Sequence, residues 1–284
     1  MKISVCIILF RTKYLDEMIP SILSQSHKDL ELLFVDQEEG VWSAFEYCKE
    51  NFTELKVLKG ENLWHSGGMN KLASLATGDL IVIGSNDFYY PKDFFKKISN
   101  QVADSEFEVF SPVLKRWDYP NGFTNYIDCV GINFDKKFAF HEVLSGCEYN
   151  PELVPDFVDG PNGALAIFTR KAYDKFIEID GYLFDENIHY KNDCDLVFRF
   201  KKHGFKTKVL KDCFAYHDRQ QVFYKKKSKG LRESSFYGDL WLLKKHFNWS
   251  FKYFNPILAL IYYFLKIFYL LFRYPYLWKQ MLRK

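Results

Sequence analysis

A chain of 284 residues, 48% hydrophobic and 26% charged, is neither disordered nor fibrous and is long enough for one large core or two modest ones. Its formal charge of +3 is too small to imply a nucleic-acid partner, although basic residues crowd into the last third. The 29 Phe and 19 Tyr exceed what a core of this size needs, so apolar or amphipathic surface is expected. The six cysteines show no Cys-x-x-Cys pair and no zinc-type spacing, and read as reduced thiols. With no charged leader ahead of Ile3, the protein reads as facing the cytosol.

From the amino terminus, Ile3 to Phe10 is a continuous apolar run of strand length, and Leu15 to Ser24 carries apolar residues at helical spacing. Leu30 to Val35 predicts a second buried strand ending at Asp36, Trp42 to Asn51 a helix, and Leu55 to Leu58 a short strand. Gly67-Gly68 then precedes a helix predicted over Lys71 to Ala76. Such a pair lets backbone approach a ligand closely, with free N–H groups at the helix start for a phosphate, or it only caps a loop. Neither the dinucleotide fingerprint nor a Walker loop is present. Leu80 to Ile83 predicts another buried strand, which rises out of Gly78-Asp79 and stops at Ser85-Asn86-Asp87. In open α/β sheets ligands sit beyond the carboxyl ends of strands, so Asp36 and Asp87 stand where a metal or phosphate would be handled. The same residue types also suit an ordinary turn. This alternation of strands and helices predicts a parallel sheet with right-handed crossovers.

Lys92 to Val102 predicts a helix and Phe107 to Leu114 a strand, after which Lys115 to Pro155 breaks into short, aromatic, turn-rich segments. Asp159-Gly160-Pro161-Asn162-Gly163 leads into a strand over Ala164 to Thr169 and a helix over Arg170 to Ile177. No long Pro/Ser linker intervenes, so the second half reads as a lobe continuous with the first. Asn192-Asp193-Cys194-Asp195-Leu196 opens a further helix. Asn192 or Asp193 suits its cap and Asp195 its first turn; alternatively, one of these carboxylates is a general base facing a cleft. Phe205 to Phe214 predicts a strand that delivers His217 a few residues past its end, as a structural histidine or a metal ligand. The run Tyr224 to Gly230, with Lys225, is either a solvated loop or a diphosphate clamp.

Beyond Leu231 a helix is expected to about Phe247, and Pro256 to Phe272 is apolar or aromatic except for Lys266. Tyr262, Lys266, Tyr269 and Arg273 fall on one stripe of that helix. An in-plane amphipathic anchor is expected, with Arg273, Lys279, Arg283 and Lys284 meeting anionic lipid head groups. The alternatives are packing on the protein or a partner, or a tilted span.

Taken together, Ile3 to Arg219 resembles the inverting family 2 glycosyltransferases, which have the GT-A fold and use nucleotide-activated sugars. The resemblance rests on Ser21 to Ser26 with Leu32 to Asp36, on Gly68-Met69-Asn70 through Asp79, and on Ser85-Asn86-Asp87 at the position of the Asp-x-Asp metal motif. Gly163 to Arg170, Asn192 to Leu196 at the Glu-Asp-x-Asp-Leu signature, and His217 complete it. Ser85 replaces the first carboxylate of the metal motif and Asn192 the Glu before the base.

The resemblance implies an α/β GT-A-like domain over 1–230, with a nucleotide-sugar half over 1–114 and an acceptor half over 115–230, and a membrane-associating helical region over 231–284. It implies Asp193 as catalytic base, and Asp87 and His217 as ligands of Mn²⁺ or Mg²⁺. Thr12, Asp36, Asn70, Asn86 and Lys225 are the expected donor contacts; Asn162, Asp195 and Arg199 are acceptor-side or supporting residues. The implied activity is inverting hexosyl or deoxyhexosyl transfer from a nucleoside-diphosphate sugar to a glycan hydroxyl. The expected setting is bacterial surface-glycan synthesis on a lipid-linked acceptor at the cytoplasmic face of the cell membrane, with no nucleic acid involved. A catalytically silent nucleotide-sugar or glycan-binding module and a membrane scaffold are the alternatives.

Overall fold

The computed structural model describes residues 1–9, 12–37, 43–53, 55–218 and 229–281. The first half alternates as expected: β1 (Ile3–Leu9), α1 (Leu15–Leu23), β2 (Leu30–Asp36), α2 (Ala44–Asn51), β3 (Val57–Lys59), α3 (Trp64–Leu75) and β4 (Leu80–Ser85). Then follow β5 (Phe88–Tyr89), α4 (Phe94–Ala103), β6 (Val109–Asp118), β7 (Gly122–Cys129), β8 (Ile132–Phe134), β9 (Phe140–Glu142), β10 (Phe157–Val158) and β11 (Leu165–Thr169). The chain continues with α5 (Arg170–Asp180), α6 (Asn192–Lys202), β12 (Thr207–His217), α7 (Lys229–His246), α8 (Pro256–Arg273) and α9 (Tyr276–Met281).

The main sheet runs β10-β12-β6-β11-β4-β1-β2-β3. β3, β2, β1 and β4 are mutually parallel, β11 is antiparallel to both β4 and β6, and β6 is parallel to β12. Six strands therefore share one direction, with β11 reversed among them. The continuous apolar runs form strands because both faces of the sheet are covered. Val5 and Ile7 of β1 face Met18 and Ile19 of α1 and Phe95 and Ile98 of α4. Cys6 faces the other way with Ile81 and Ile83, toward Met69 and Leu72 of α3, Phe176 of α5 and Leu196 of α6.

Lys115 to Pro155 is more regular than its composition suggests. β6 continues to Asp118 and pairs with β7, while β8 and β9 form a separate two-stranded ribbon. α6 is covered on its outer side too, where Phe198 and Ile188 pack with Phe138, Leu242 of α7, and Ala259 and Tyr263 of α8.

The glycine pair plays a part different from either reading, ligand approach or loop cap. Gly67-Gly68 lies inside α3, which begins at Trp64, and so offers no free helix N–H groups. A Cβ on Gly68 would lie 1.8 Å from the Gln37 amide nitrogen and 2.7 Å from Ile8 Cδ1. The glycines let α3 close onto the end of the sheet, where Gln37 Oε1 also accepts the Leu63 N–H (2.7 Å).

Candidate active site

Parallel strands of similar register bring their carboxyl ends to one edge. Ile8 stands beside Ser85 of β4, and Leu9 beside Asp36 of β2. Asp36 is fully buried, and its Oδ2 accepts the Phe45 N–H in the first turn of α2 (2.8 Å). Thr12, half-buried, accepts the Leu15 N–H with its carbonyl (3.0 Å) at the start of α1. Asn86 is buried beside Asp87.

His217 is the last residue of β12 rather than a residue past it, because β12 carries a bulge between Leu210 and Phe214 and runs on to pair with β5. There its ring stacks flat on Phe88, with centroids 4.3 Å apart. Its Nδ1 lies 2.8 Å from Asp128 Oδ2, and its Nε2 lies 3.4 Å from Asp87 Oδ1. The Ser85 hydroxyl donates to that same Asp87 oxygen (2.5 Å), so the serine that stands in place of a carboxylate orients the remaining one. Burial works against a charged imidazole, but Asp87 and Asp128 outweigh it and push the His217 pKa up to about 9. Burial likewise opposes ionisation of Asp87, and His217 with the Ser85 hydroxyl overcomes it, holding this carboxyl below its usual range.

These groups suit a divalent cation. Asp128 orients the imidazole from Nδ1, so a cation between Nε2 and Asp87 would replace the proton now held there. Among the described residues, no group of three or more His, Cys, Asp or Glu is arranged to hold a metal, so substrate oxygens would have to complete the coordination.

Asp193 approaches from the other side. β11 follows the segment 160–164, whose Ala164 carbonyl accepts the Ser85 N–H (3.0 Å) and whose Gly163 abuts α6: a Cβ there would lie 2.8 Å from Asp193 Cβ. Asn162 is buried within this segment and accepts the Ala164 N–H with Oδ1 (2.8 Å). One short segment thus touches both the strand leading to Asp87 and the helix turn carrying Asp193.

The cap of α6 differs from expectation. Lys191 holds the cap position at φ 69°, and the side chains of Asn192 and Asp193 act from within the first turn, each accepting the next residue's N–H (3.0 and 2.8 Å). The Asn192 amide nitrogen lies 2.9 Å from His65 Nδ1 and 3.2 Å from Ser66 Oγ, which ties α6 to α3. Asparagine suits this place because it donates to two acceptors at once.

Burial holds the His65 pKa down, from 6.5 to about 4, which keeps Nδ1 free to accept the Asn192 N–H. With the folded pKa below the unfolded one, this contribution to stability is complete above pH 6.5 and is lost as pH falls from 6.5 through about 4. Urea unfolding across that range should show the loss in the wild type and a smaller one in His65→Asn; identical profiles would refute it.

Asp195 and Arg199 lie away from this edge, in a network that fastens α6 to α7. Asp195 bonds to Arg199 Nε (2.7 Å), His246 Nε2 (2.7 Å) and Lys245 Nζ (2.8 Å). Arg199 also reaches Asp180 (2.9 Å) and the Leu183 carbonyl (2.6 Å). Burial opposes the Asp195 charge, yet His246, Arg199 and Lys245 hold its pKa well below the carboxylate range.

Asn70, an expected donor contact, is tied to the loop before α6. Its amide exchanges two hydrogen bonds with the Phe184 backbone (both 2.8 Å) and reaches Glu186 (3.0 Å), fixing the loop before α6. Lys225 lies outside the described residues. The sequence reading missed Asp128 and Asp218. Asp218 receives the Tyr14 hydroxyl (2.7 Å), and its N–H donates to the Asp87 carbonyl (3.0 Å). A carboxylate between the apolar Ile127 and Cys129 was the available signal for Asp128.

A mostly parallel α/β sheet flanked by helices, with acidic side chains gathered at its carboxyl edge, is a GT-A-like arrangement. Residues 4–175 match the model of glycosyl transferase family 2, and the chain belongs to that family. The fold is similar to a crystal structure of S. aureus TarS 1–349, with a TM-score of 0.56 at 14% identity, covering 86% of this chain and 65% of that one. The same fragment in complex with UDP matches equally. A longer S. aureus TarS structure matches with a TM-score of 0.57 at 15% identity, over 86% of this chain and 39% of that one. At these identities the likeness is one of fold. A search of curated proteins returns no match.

Proposed function

We propose that the protein transfers a sugar from a nucleoside-diphosphate sugar to a hydroxyl of a glycan acceptor, with inversion at the anomeric carbon. The observation that carries this reading is the segment 162–164, which abuts the Asp193 turn on one side and, on the other, the strand leading to Asp87, beside which His217 stands. Membership of glycosyl transferase family 2 and the UDP complex of TarS support the donor class.

Asp193 accepts the proton of the acceptor hydroxyl as that oxygen attacks the anomeric carbon. The new C–O bond forms on the face opposite the diphosphate. The bond to the diphosphate oxygen breaks, and its electron pair departs with that oxygen. Asp36, Thr12 and Asn86 are the donor-side contacts and Asn162 an acceptor-side one, while Asp195 and Arg199 hold α6 in place. Asp87 and His217 would hold Mg²⁺ or Mn²⁺, which when bound supplies positive charge to the leaving diphosphate. The acceptor is proposed to be lipid-linked and the enzyme to work at the cytoplasmic face of the cell membrane. Support for this setting comes from α8, which is long and apolar enough to cross a membrane and is mostly exposed.

Thermal unfolding with a panel of nucleoside diphosphates and their sugars, with and without Mn²⁺, tests the reading. A matching nucleotide at a hundredfold its Kd should stabilise the protein by about 2.7 kcal/mol. Mn²⁺ should add to this in the wild type and not in Asp87→Ala, which should keep a nucleotide response of its own. Stabilisation by no member of the panel would overturn the donor assignment.

A further inference from the structure

Asp239 is the last acidic residue of the chain; residues 240–284 contain eight lysines and arginines and no acidic side chain. Within this region α8 turns Ile257, Ile261, Phe264, Leu265, Phe268 and Phe272 outward, the last of them 79% exposed. Trp249 and Phe251 are exposed before the helix and Trp278 after it. An apolar face ended by aromatic side chains, in a stretch of chain whose charged side chains are all basic, matches an anionic bilayer surface.

The inner side of the same helix is polar at one point. Part of the expected polar stripe, Lys266 with Tyr262, faces the protein rather than a solvent or lipid boundary, because Lys266 finds a buried carboxylate there. Its Nζ lies 2.8 Å from Asp239 Oδ2 on α7. The other oxygen of Asp239 holds Lys191. Lys191 is the left-handed cap residue of α6, two positions before Asp193. Gly238 brings α7 hard against this point: a Cβ there would lie 2.4 Å from the Tyr190 carbonyl oxygen.

We propose that seating α8 on an anionic bilayer orders the first turn of α6 through Lys266, Asp239 and Lys191, which makes Asp239 a positioning residue for Asp193. The proposal rests on Asp193 as the base and on α8 as the membrane contact. Of the 18 residues of α8 only Pro256, Ala259, Tyr263 and Leu271 are buried, so in water its local opening costs little and takes Lys266 off Asp239. Lipid removes that surface from water and holds α8 in place, so Lys266 stays on Asp239 and Asp239 stays on Lys191. The gain is one of order at the cap of α6, a coupling carried by reduced local opening.

Hydrogen–deuterium exchange of the full chain, with and without vesicles of phosphatidylcholine and phosphatidylglycerol in equal parts, reads this directly. In the wild type, vesicles should slow exchange in peptides spanning 190–197 about fivefold, alongside protection of 257–273. Lys266→Met keeps an apolar stem and leaves Asp239 paired with Lys191, so it should keep protection of 257–273 and lose that of 190–197. Asp239→Asn should do the same if it folds. Equal protection of 190–197 in wild type and Lys266→Met overturns the relay. Protection of 257–273 with no change at 190–197 in the wild type also overturns it, and absence of vesicle binding refutes the membrane contact itself. The role of Asp193 as base fails separately, by activity retained in Asp193→Asn.

Discussion

Asp193→Asn is expected to lower sugar transfer by ~10²–10⁴-fold, the range for loss of a positioned general base. The melting temperature should not move. Asparagine keeps the size of the side chain and an oxygen that can still accept the Cys194 N–H, so the first turn of α6 remains capped. Gly163, against which Asp193 packs, meets the same Cβ. Donor affinity should also persist, because the proposed donor-side residues Thr12, Asp36 and Asn86 lie at or beyond the ends of β1, β2 and β4 and not on α6. The effect should therefore fall on kcat with little change in the KM for the donor. Transfer at close to the wild-type rate would remove Asp193 from the mechanism and leave the fold assignment standing.

Arg199→Met is expected to destabilise the protein by about 3–5 kcal/mol, the cost of breaking a buried ion pair from one side. Asp195 is 0% exposed and Arg199 3%, so neither can recover its lost bonds from water. The substitution removes the contacts to Asp195 and Asp180 and leaves the Leu183 carbonyl without its guanidinium donor. Lys245 and His246 remain on Asp195, which places the loss nearer the lower end of that range. Urea unfolding should show a lower midpoint at an unchanged slope. A loss under about 1 kcal/mol, the scale of a surface pair, would mean that Arg199 does not fasten α6 to Asp180 and the Leu183 carbonyl as described.

The legible parts of the site were those read from strand ends. Asp36 and Asp87 follow apolar runs, and a strand buried on both faces must release its first polar residue at its edge, so their shared location could be argued without coordinates. Asn192, Asp193 and Asp195 were legible as a helix start, yet not as three different roles. Residues two apart on a helix point in nearly opposite directions, so Asp193 and Asp195 part company, one toward Gly163 and the other toward Lys245 and His246. The packing contacts of the glycine pair and of Asn70 were not legible for a shared reason: each is a contact with a remote segment. Gly68 makes room for Ile8 and Gln37, and Asn70 holds Phe184, 114 residues away.

The alternation of strands and helices through β4, the carboxyl-edge location of Asp36 and Asp87, the start of α6 and the apolar tail are properties of local pattern, and the sequence by itself determined them. Hydrophobic period and turn chemistry act over neighbouring residues, so they can be read along the chain. Tertiary structure decided the rest. Pairing of β6 with β7 brings in the strand that carries Asp128, and pairing of β12 with β5 sets His217 beside Phe88. Packing of α7 between α6 and α8 turned Lys266 inward onto Asp239 and left the apolar side of α8 outside. These are contacts between segments far apart in the chain, chosen by burial and by the need of each buried charge for an opposite partner.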